Sequence, residues 1–194
     1  MRGRAPLVSL AVAGASLLAL GAPELLELSR EGLGRGDLWR LFTGHLAHFS
    51  LYHWAVDAGT LVALGWLYED RIGRARWGAL LAGSALSVSG AFLVLETDLG
   101  SYRGLSGLDC AAFAAALVSE ARRRPALAGA VGLLFAAKIA FEQATGGFLF
   151  PSAGLGDMGL PVLSAHSVGA LAGLASGLGV RDAVASPAPA CRHP

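Results

Sequence analysis

Apolar residues in this chain come in long runs separated by short polar stretches. Six runs stand out, over residues 5–22, 51–68, 75–95, 106–121, 125–141 and 160–180. A helix that spans a bilayer needs about 20 apolar residues, with a range of about 17–25. Most of the runs fit, and the fourth is short. The pattern predicts an all-α membrane protein with six transmembrane helices in one domain, residues 1–182. The Pro-rich stretch 183–194 then reads as a disordered tail. The first run has a rival reading, because Met1-Arg2-Gly3-Arg4 before an apolar segment ending Ala19-Leu20-Gly21-Ala22 also resembles a secretory signal peptide. The chain after this run does not read as a soluble domain, so a retained first helix is expected. Between the first two runs, Leu38-Trp39-Arg40-Leu41-Phe42 reads as interfacial, with Trp39 at headgroup level. There is no internal repeat.

Composition agrees with a membrane protein. Hydrophobic residues make up 54% of the chain and charged residues only 15%, against about 25% charged in soluble domains. A net charge of +1 gives no attraction to nucleic acid. Cys110 and Cys191 fall in a predicted helix and in the tail, which does not suggest a disulfide framework. Arginines set the orientation. With a cytoplasmic N-terminus, Arg2, Arg4, Arg71, Arg74, Arg76, Arg122, Arg123, Arg124, Arg181 and Arg192 lie inside, and only Arg30, Arg35, Arg40 and Arg103 lie outside. The positive-inside rule favours that arrangement, with both termini cytoplasmic.

Two residues stand out inside this frame. Ser106 opens the fourth run, and His166 sits just inside the sixth. Counting at 1.5 Å per residue from the cytoplasmic ends Ala121, Arg181 and Tyr68 places Ser106, His166 and His53 all at a height of about 22 Å. The fourth helix, if it begins at Ser106, spans only about 24 Å of a hydrocarbon layer about 30 Å thick. Its start is therefore recessed, and the irregular segment before it must line a wet cavity or be buried in protein. Serine at the bottom of such a pit, beside a histidine, suggests a nucleophile and its base. Ala165, Gly169, Gly173 and Gly177 form a small-xxx-small ladder on the sixth helix, and Gly107, Ala111 and Ala115 offer a matching face on the fourth. Packing of these faces would bring Ser106 and His166 together. Taken singly, Ser106 could be a helix N-cap and the small residues could serve packing alone. Neither reading explains an intramembrane histidine.

These residues resemble the rhomboid family of intramembrane serine proteases. Gly104-Leu105-Ser106-Gly107 is similar to the family's Gly-x-Ser-Gly nucleophile motif. Ala165-His166 followed by Gly169 and Gly173 is similar to its sixth-helix base motif. Trp39-Arg40 with Thr43, His48 and His53 resembles its first loop and the start of its second helix. The resemblance runs over about Asp37–Gly177. It implies a six-helix rhomboid-like bundle and acyl transfer by a Ser106–His166 dyad. The Ser106 backbone N–H would meet the oxyanion, His53 would donate a further hydrogen bond there, and Gly104, Leu105 and Asp57 would complete the oxyanion and substrate region. Tyr102–Leu108 and Lys138–Gln143 are similar to the rhombosortase branch. That branch implies removal of C-terminal sorting anchors from exported proteins at the external face of a bacterial inner membrane. The expected partners are substrates with C-terminal helix anchors and the lipid bilayer, without nucleic acid, metal or cofactor. Two positions depart from the family pattern. Asp57 stands where Asn is usual, and Cys110 stands where many members place an aromatic residue against the base.

The remaining ionisable residues need partners inside a membrane. Asp109, Lys138 and Asp57 fall at heights of about 18, 20 and 16 Å, so Lys138 is expected to pair with Asp109 or with Asp57, and Glu142, one turn above Lys138, could join it. Alternatively, Asp109 could orient His166 as a third triad member. His45, His48 and His53 invite a metal reading, but no Cys ligand or His-Glu-x-x-His motif accompanies them, and His48 is expected to brace the first loop. A competing function is a proteolytically inactive rhomboid-like protein that binds membrane clients. A transporter would show paired broken helices and an internal repeat, which are absent.

Overall fold

The computed structural model describes residues 4–147, 149, 156–159 and 162–178. The tail 183–194 with Cys191, and Arg181 and Arg192, which entered the orientation argument, lie outside the described residues. So do the ends of the sixth run.

Apart from one two-stranded ladder, the regular elements of the described residues are all helices. In order it forms α1 (Leu7–Ala19), α2 (Pro23–Leu26), β1 (Leu28–Ser29), α3 (Arg30–Gly34), α4 (Arg40–Thr43), α5 (Leu51–Ile72), α6 (Arg74–Leu95), β2 (Ser101–Tyr102), α7 (Ser106–Ala121), α8 (Pro125–Thr145) and α9 (Leu163–Leu178). The six apolar runs correspond to α1, α5, α6, α7, α8 and α9. Two of these, α6 and α8, are long and apolar enough to cross a membrane on their own. The others are shorter, as α7 and α9 are at 16 residues each, or carry charge, as α5 does with Asp57, Glu69, Asp70 and Arg71. α8 lies at the periphery and exposes Leu133 and Leu134 at 72% and 70%.

α7 is the central helix. Gly107, Leu108, Asp109, Cys110, Ala111, Ala112, Ala114, Ala115 and Ala116 are all buried. Alanine and glycine dominate this set because α9 approaches nearly to backbone contact. A Cβ on Gly169 would collide with the carbonyl oxygen of Gly107, and one on Gly173 with that of Ala111. One turn further, a Cβ on Gly177 would come within 2.8 Å of Val118 Cβ. The two small-residue faces therefore meet in register, which is the geometry by which small residues let helices pack closely.

Helix α1 is tied to α5 by a buried carboxylate. Glu69 is 1% exposed and accepts from the backbone N–H groups of Val8 and Ser9 at 3.0 and 2.9 Å, and from Ser9 Oγ at 2.9 Å. These N–H groups belong to the first turn of α1, where no intrahelical acceptor exists and the helix dipole favours negative charge. Ser9 Oγ in turn accepts from Trp77 Nε1 at 2.9 Å. This is why α5 continues as helix to Ile72, one turn beyond the apolar run: its last turn is docked against α1 and α6.

The loop between α1 and α5 is a folded unit held by arginines. Arg40 is 5% exposed and donates to the carbonyls of Glu24 and Glu27 at 3.0 and 2.8 Å and to Asp37 Oδ2 at 3.0 Å. Arg30 donates to the carbonyls of Leu93, Phe92 and Glu96 at 3.1–3.2 Å, satisfying the open C-terminus of α6. Trp39, 53% exposed, points outward as an interfacial residue would. β1 pairs with β2 antiparallel, Leu28 opposite Tyr102 and Ser29 opposite Ser101, so the loop is stitched to the segment that leads into Ser106.

The close α7–α9 approach makes a direct expectation. Gly173→Val should destabilise the protein by about 1–3 kcal/mol through overpacking against a carbonyl that cannot retreat, lowering the unfolding midpoint in detergent by about 2–4 °C per kcal/mol. Gly129→Ala on α8, with no atom within 4 Å of the added Cβ, should leave the midpoint unchanged or raise it.

Candidate active site

The start of α7 is set by a sharp backbone turn. Gly104 has φ +123°, a conformation that residues with a side chain rarely adopt. A Cβ there would also lie 3.0 Å from His53 Cε1 and 3.2 Å from Asp57 Oδ2. Leu105 N–H donates to Asp57 Oδ2 at 2.9 Å, Tyr102 OH donates to the Gly104 carbonyl at 2.9 Å, and Ser106 is then the first residue of the helix. Its backbone N–H is among those that a helix leaves without an intrahelical acceptor. That is the position from which it can stabilise a developing negative charge.

His166 comes from the first turn of α9. Glu96, the residue that follows α6, positions that turn by accepting from Ser164 N–H at 3.0 Å. Gln143 Nε2 on α8 grips it through the Leu163 carbonyl at 2.9 Å and Ser167 Oγ at 2.8 Å. The glycine ladder does the rest. His166 Nε2 lies 3.1 Å from Ser106 Oγ, within the reach a nucleophile–base pair requires. The other ring nitrogen, Nδ1, lies 2.8 Å from Glu142 Oε2 and 3.3 Å from Lys138 Nζ. His166 is buried at 4% exposure.

Lys138 pairs with Glu142, at 2.7 Å between Nζ and Oε2, and not with Asp109 or Asp57. The height estimate concerned position along each helix axis and carried no information about azimuth. Lys138 and Glu142 are one turn apart on the same helix, and both turn toward His166. Asp109 is buried with its Oδ1 lacking a hydrogen-bond partner, and it does not bond His166. The place beside Nδ1 that the sequence offered to Asp109 is held by Glu142. Cys110 packs instead with Ala114 and Ala170, against Phe135 and Ile139.

The three loop and α5 histidines separate in role. His45 Nε2 lies 3.0 Å from the Ala85 carbonyl and 3.1 Å from Ser89 Oγ. Burial brings its pKa down to about 4, so it is a neutral strut between the loop and α6. His48 Nδ1 donates to the Leu46 carbonyl at 2.9 Å, which turns Nε2 toward Asp57 Oδ2 at 3.5 Å. His53 Nε2 is 3.2 Å from the same oxygen, and Ser50 caps its helix by accepting from His53 N–H at 3.1 Å. The His53 ring nitrogen expected at the oxyanion thus faces Asp57. Among the described residues, His48, His53 and Asp57 form the donor set that could hold a metal, their ligand atoms lying within 4.8 Å of one another. The Asp57 oxygen they share, however, is already engaged by Leu105 N–H. A cavity of about 270 Å³ opens onto Ser106 and His166 and is lined also by His53, Asp57, Asp109 and Lys138. At about 30 Å³ per water, it has room for several.

A sequence model of the rhomboid domain matches residues 35–183. The chain belongs to the rhomboid family. Rhomboids are intramembrane serine proteases that act on membrane-protein substrates within the bilayer, and with its apolar helices this rhomboid is an integral membrane protein. No curated protein matches the chain significantly. Glu69 and Glu96 were not singled out from the sequence, and Arg30 and Gln143 entered it only through the count of outside arginines and the Lys138–Gln143 motif. Glu69 and Glu96 each follow directly on an apolar run, which was the only signal they gave.

The environment of Asp57 tests whether its charge or its shape is needed. Asp57→Asn keeps an oxygen for Leu105 N–H and should preserve both stability and the Ser106 environment. Asp57→Leu strands that buried N–H and should cost about 1–3 kcal/mol, measured as the thermal unfolding midpoint in detergent.

Proposed function

We propose that this rhomboid is an active intramembrane serine endopeptidase in which Ser106 is the nucleophile and His166 the general base. The observation that carries the reading is the 3.1 Å contact between Ser106 Oγ and His166 Nε2 at a cavity able to hold water. A proteolytically inactive client-binding protein has no use for that contact. In the reaction, Ser106 Oγ gives its proton to Nε2 as it attacks the scissile carbonyl. The oxyanion forms next to the Ser106 backbone N–H. His166 then returns the proton to the leaving amine. A water from the cavity, deprotonated by the same imidazole, hydrolyses the acyl-enzyme.

Six spanning helices with both termini cytoplasmic fit this reading. Arg74 donates to the Ala5 carbonyl at 3.0 Å, and Arg71 and Arg124 lie 3.5 Å from Glu120. The N-terminal end of α1, the α5–α6 junction and the α7–α8 junction therefore gather at one basic end. Ser106 begins α7 at the other end, so under the positive-inside rule it faces outward, in a bacterial case from the inner membrane toward the exterior. A site at that height reaches peptide bonds near the external membrane surface, in a substrate helix that unwinds locally. Glycine-rich segments unwind at least cost, since Gly is about 1 kcal/mol less favourable than Ala in a helix. The rhombosortase resemblance points to the same substrates: exported proteins ending in a small-residue motif, one membrane helix and a basic cluster, released by cleavage just before or within that helix.

Two experiments check this. A serine-directed fluorophosphonate should label the purified protein, and both Ser106→Ala and His166→Ala should abolish labelling; labelling retained in Ser106→Ala would contradict the assignment. Co-expression with a reporter bearing the tripartite tail should yield a new reporter C-terminus near the tail's helix, identified by mass spectrometry. Efficient cleavage of generic rhomboid substrates with none of the tailed reporter would refute the sorting-anchor specificity and leave the protease reading standing.

A further inference from the structure

The Ser106–His166 pair is half of a longer chain of contacts. From Ser106 Oγ it runs 3.1 Å to His166 Nε2, across the ring, 2.8 Å from Nδ1 to Glu142 Oε2, and 2.7 Å from that same oxygen to Lys138 Nζ. We propose that Glu142 is a positioning residue for the base, that Lys138 anchors Glu142, and that this rhomboid works as a Ser106–His166–Glu142 triad. The proposal rests on the protease reading of Ser106 and His166.

The proton inventory decides the roles. A carboxylate offers only acceptors, so a contact of 2.8 Å between Nδ1 and Glu142 Oε2 needs a proton between them, and the imidazole is its donor. With the proton on Nδ1, the lone pair is on Nε2 and faces the Ser106 hydroxyl, which is the tautomer a general base must have. Lys138 approaches Nδ1 at 3.3 Å but has only protons to offer. It cannot bond a protonated Nδ1, and its shorter contact is to the carboxylate. When Ser106 passes its proton to Nε2, the imidazolium that forms keeps its Nδ1–H on Glu142, a charge-assisted bond that strengthens as charge develops. Glu142 takes no proton, and the one gained at Nε2 leaves with the amine.

Three further features single out Glu142. It is 2% exposed, and a buried carboxylate in a membrane helix needs a partner, which Lys138 supplies from one turn below. Among the described residues no aromatic ring stacks on His166, and Cys110, at the position where an aromatic side chain would stand, packs elsewhere, so the ring is oriented by bonds to its two nitrogens. The other acids lining the cavity, Asp57 on α5 and Asp109 on α7, make no bond to His166.

The test is steady-state cleavage of a transmembrane reporter by the full-length protein in proteoliposomes, with thermal midpoints measured in parallel. Glu142→Gln keeps the shape and removes the charge. It should lower kcat about a hundredfold or more, a smaller loss than the roughly 10⁴-fold of the corresponding Asp→Asn change in chymotrypsin-type triads, and leave KM within about threefold. Glu142→Asp should recover part of kcat. The double variant Lys138→Met/Glu142→Gln separates the two roles. It removes the unpaired charge, so it should regain the midpoint that either single variant loses, while kcat stays low. Activity returning together with stability would show that Glu142 is only half of a structural ion pair and would overturn the proposal, as would a Glu142→Gln kcat within about threefold of the parent. If the parent cleaves, Ser106→Ala does not and Glu142→Gln does, the proposal alone fails. If Ser106→Ala cleaves as well as the parent, the protease reading fails and the triad with it.

Discussion

The structure depends on the near-contact of two helix backbones. α9 lies so close to α7 that Gly169 and Gly173 face carbonyl oxygens of Gly107 and Ala111 with no room for a Cβ. In a bilayer, burial of apolar surface gives little reason for helices to associate, because lipid tails are as apolar as leucine. Packing and interhelical hydrogen bonds must supply the specificity. A glycine ladder does so by shape. It defines the distance between the two helices and their register, and one residue at the end of each helix is thereby brought within 3.1 Å of the other. A side chain at Gly169 or Gly173 would separate the helices by more than the hydrogen bond at the ladder's mouth can tolerate.

Charge is handled by a second rule. Each buried or half-buried carboxylate with an evident role accepts hydrogen bonds from groups that would otherwise be orphaned. Glu69 takes the free N–H groups of the first turn of α1. Asp57 takes the Leu105 N–H at the turn into the nucleophile helix. Glu96 takes the Ser164 N–H at the start of α9, and Glu142 lies between Lys138 and His166. Three of the four act on a helix start or the turn before one, where unpaired donors concentrate. The polar residues that look expensive in an apolar sequence are thus the ones that orient the helices around the cavity. Asp109, with one oxygen lacking a hydrogen-bond partner, is the exception.

The first loop shows how an exposed segment can share in the same precision. Arg40 closes it on itself, Arg30 fastens it to the end of α6, and the β1–β2 ladder extends it to Tyr102, four residues before the nucleophile. His45 is held neutral by burial between this loop and α6. The strand, turn and helix start around Ser106 are therefore supported from the membrane side by α5 and from the loop side by β1.

The order of the six helices that correspond to the apolar runs, the start of α7 at Ser106, the pairing of small faces and the candidate nucleophile and base were all legible from residue type and spacing. They come from rules local to one segment: apolar length, rise per residue, glycine periodicity, and the ordering of short motifs. Partner choice among the ionisable residues was not legible in this way. Heights along the helices matched Lys138 to Asp109 as well as to any other acid, because rise per residue gives depth and not rotation about the axis, and rotation depends on how α8 leans against α7 and α9. The same blindness hid Glu69, whose three donors lie about sixty residues away in sequence, and it directed His53 to the oxyanion when its ring faces Asp57. The sequence by itself determined the apolar segments, their order and the spacing of the site residues along them. Only the tertiary structure decided which of them touch, because contact across helices is set by azimuth and tilt, and those are properties of the packed bundle that no single helix carries.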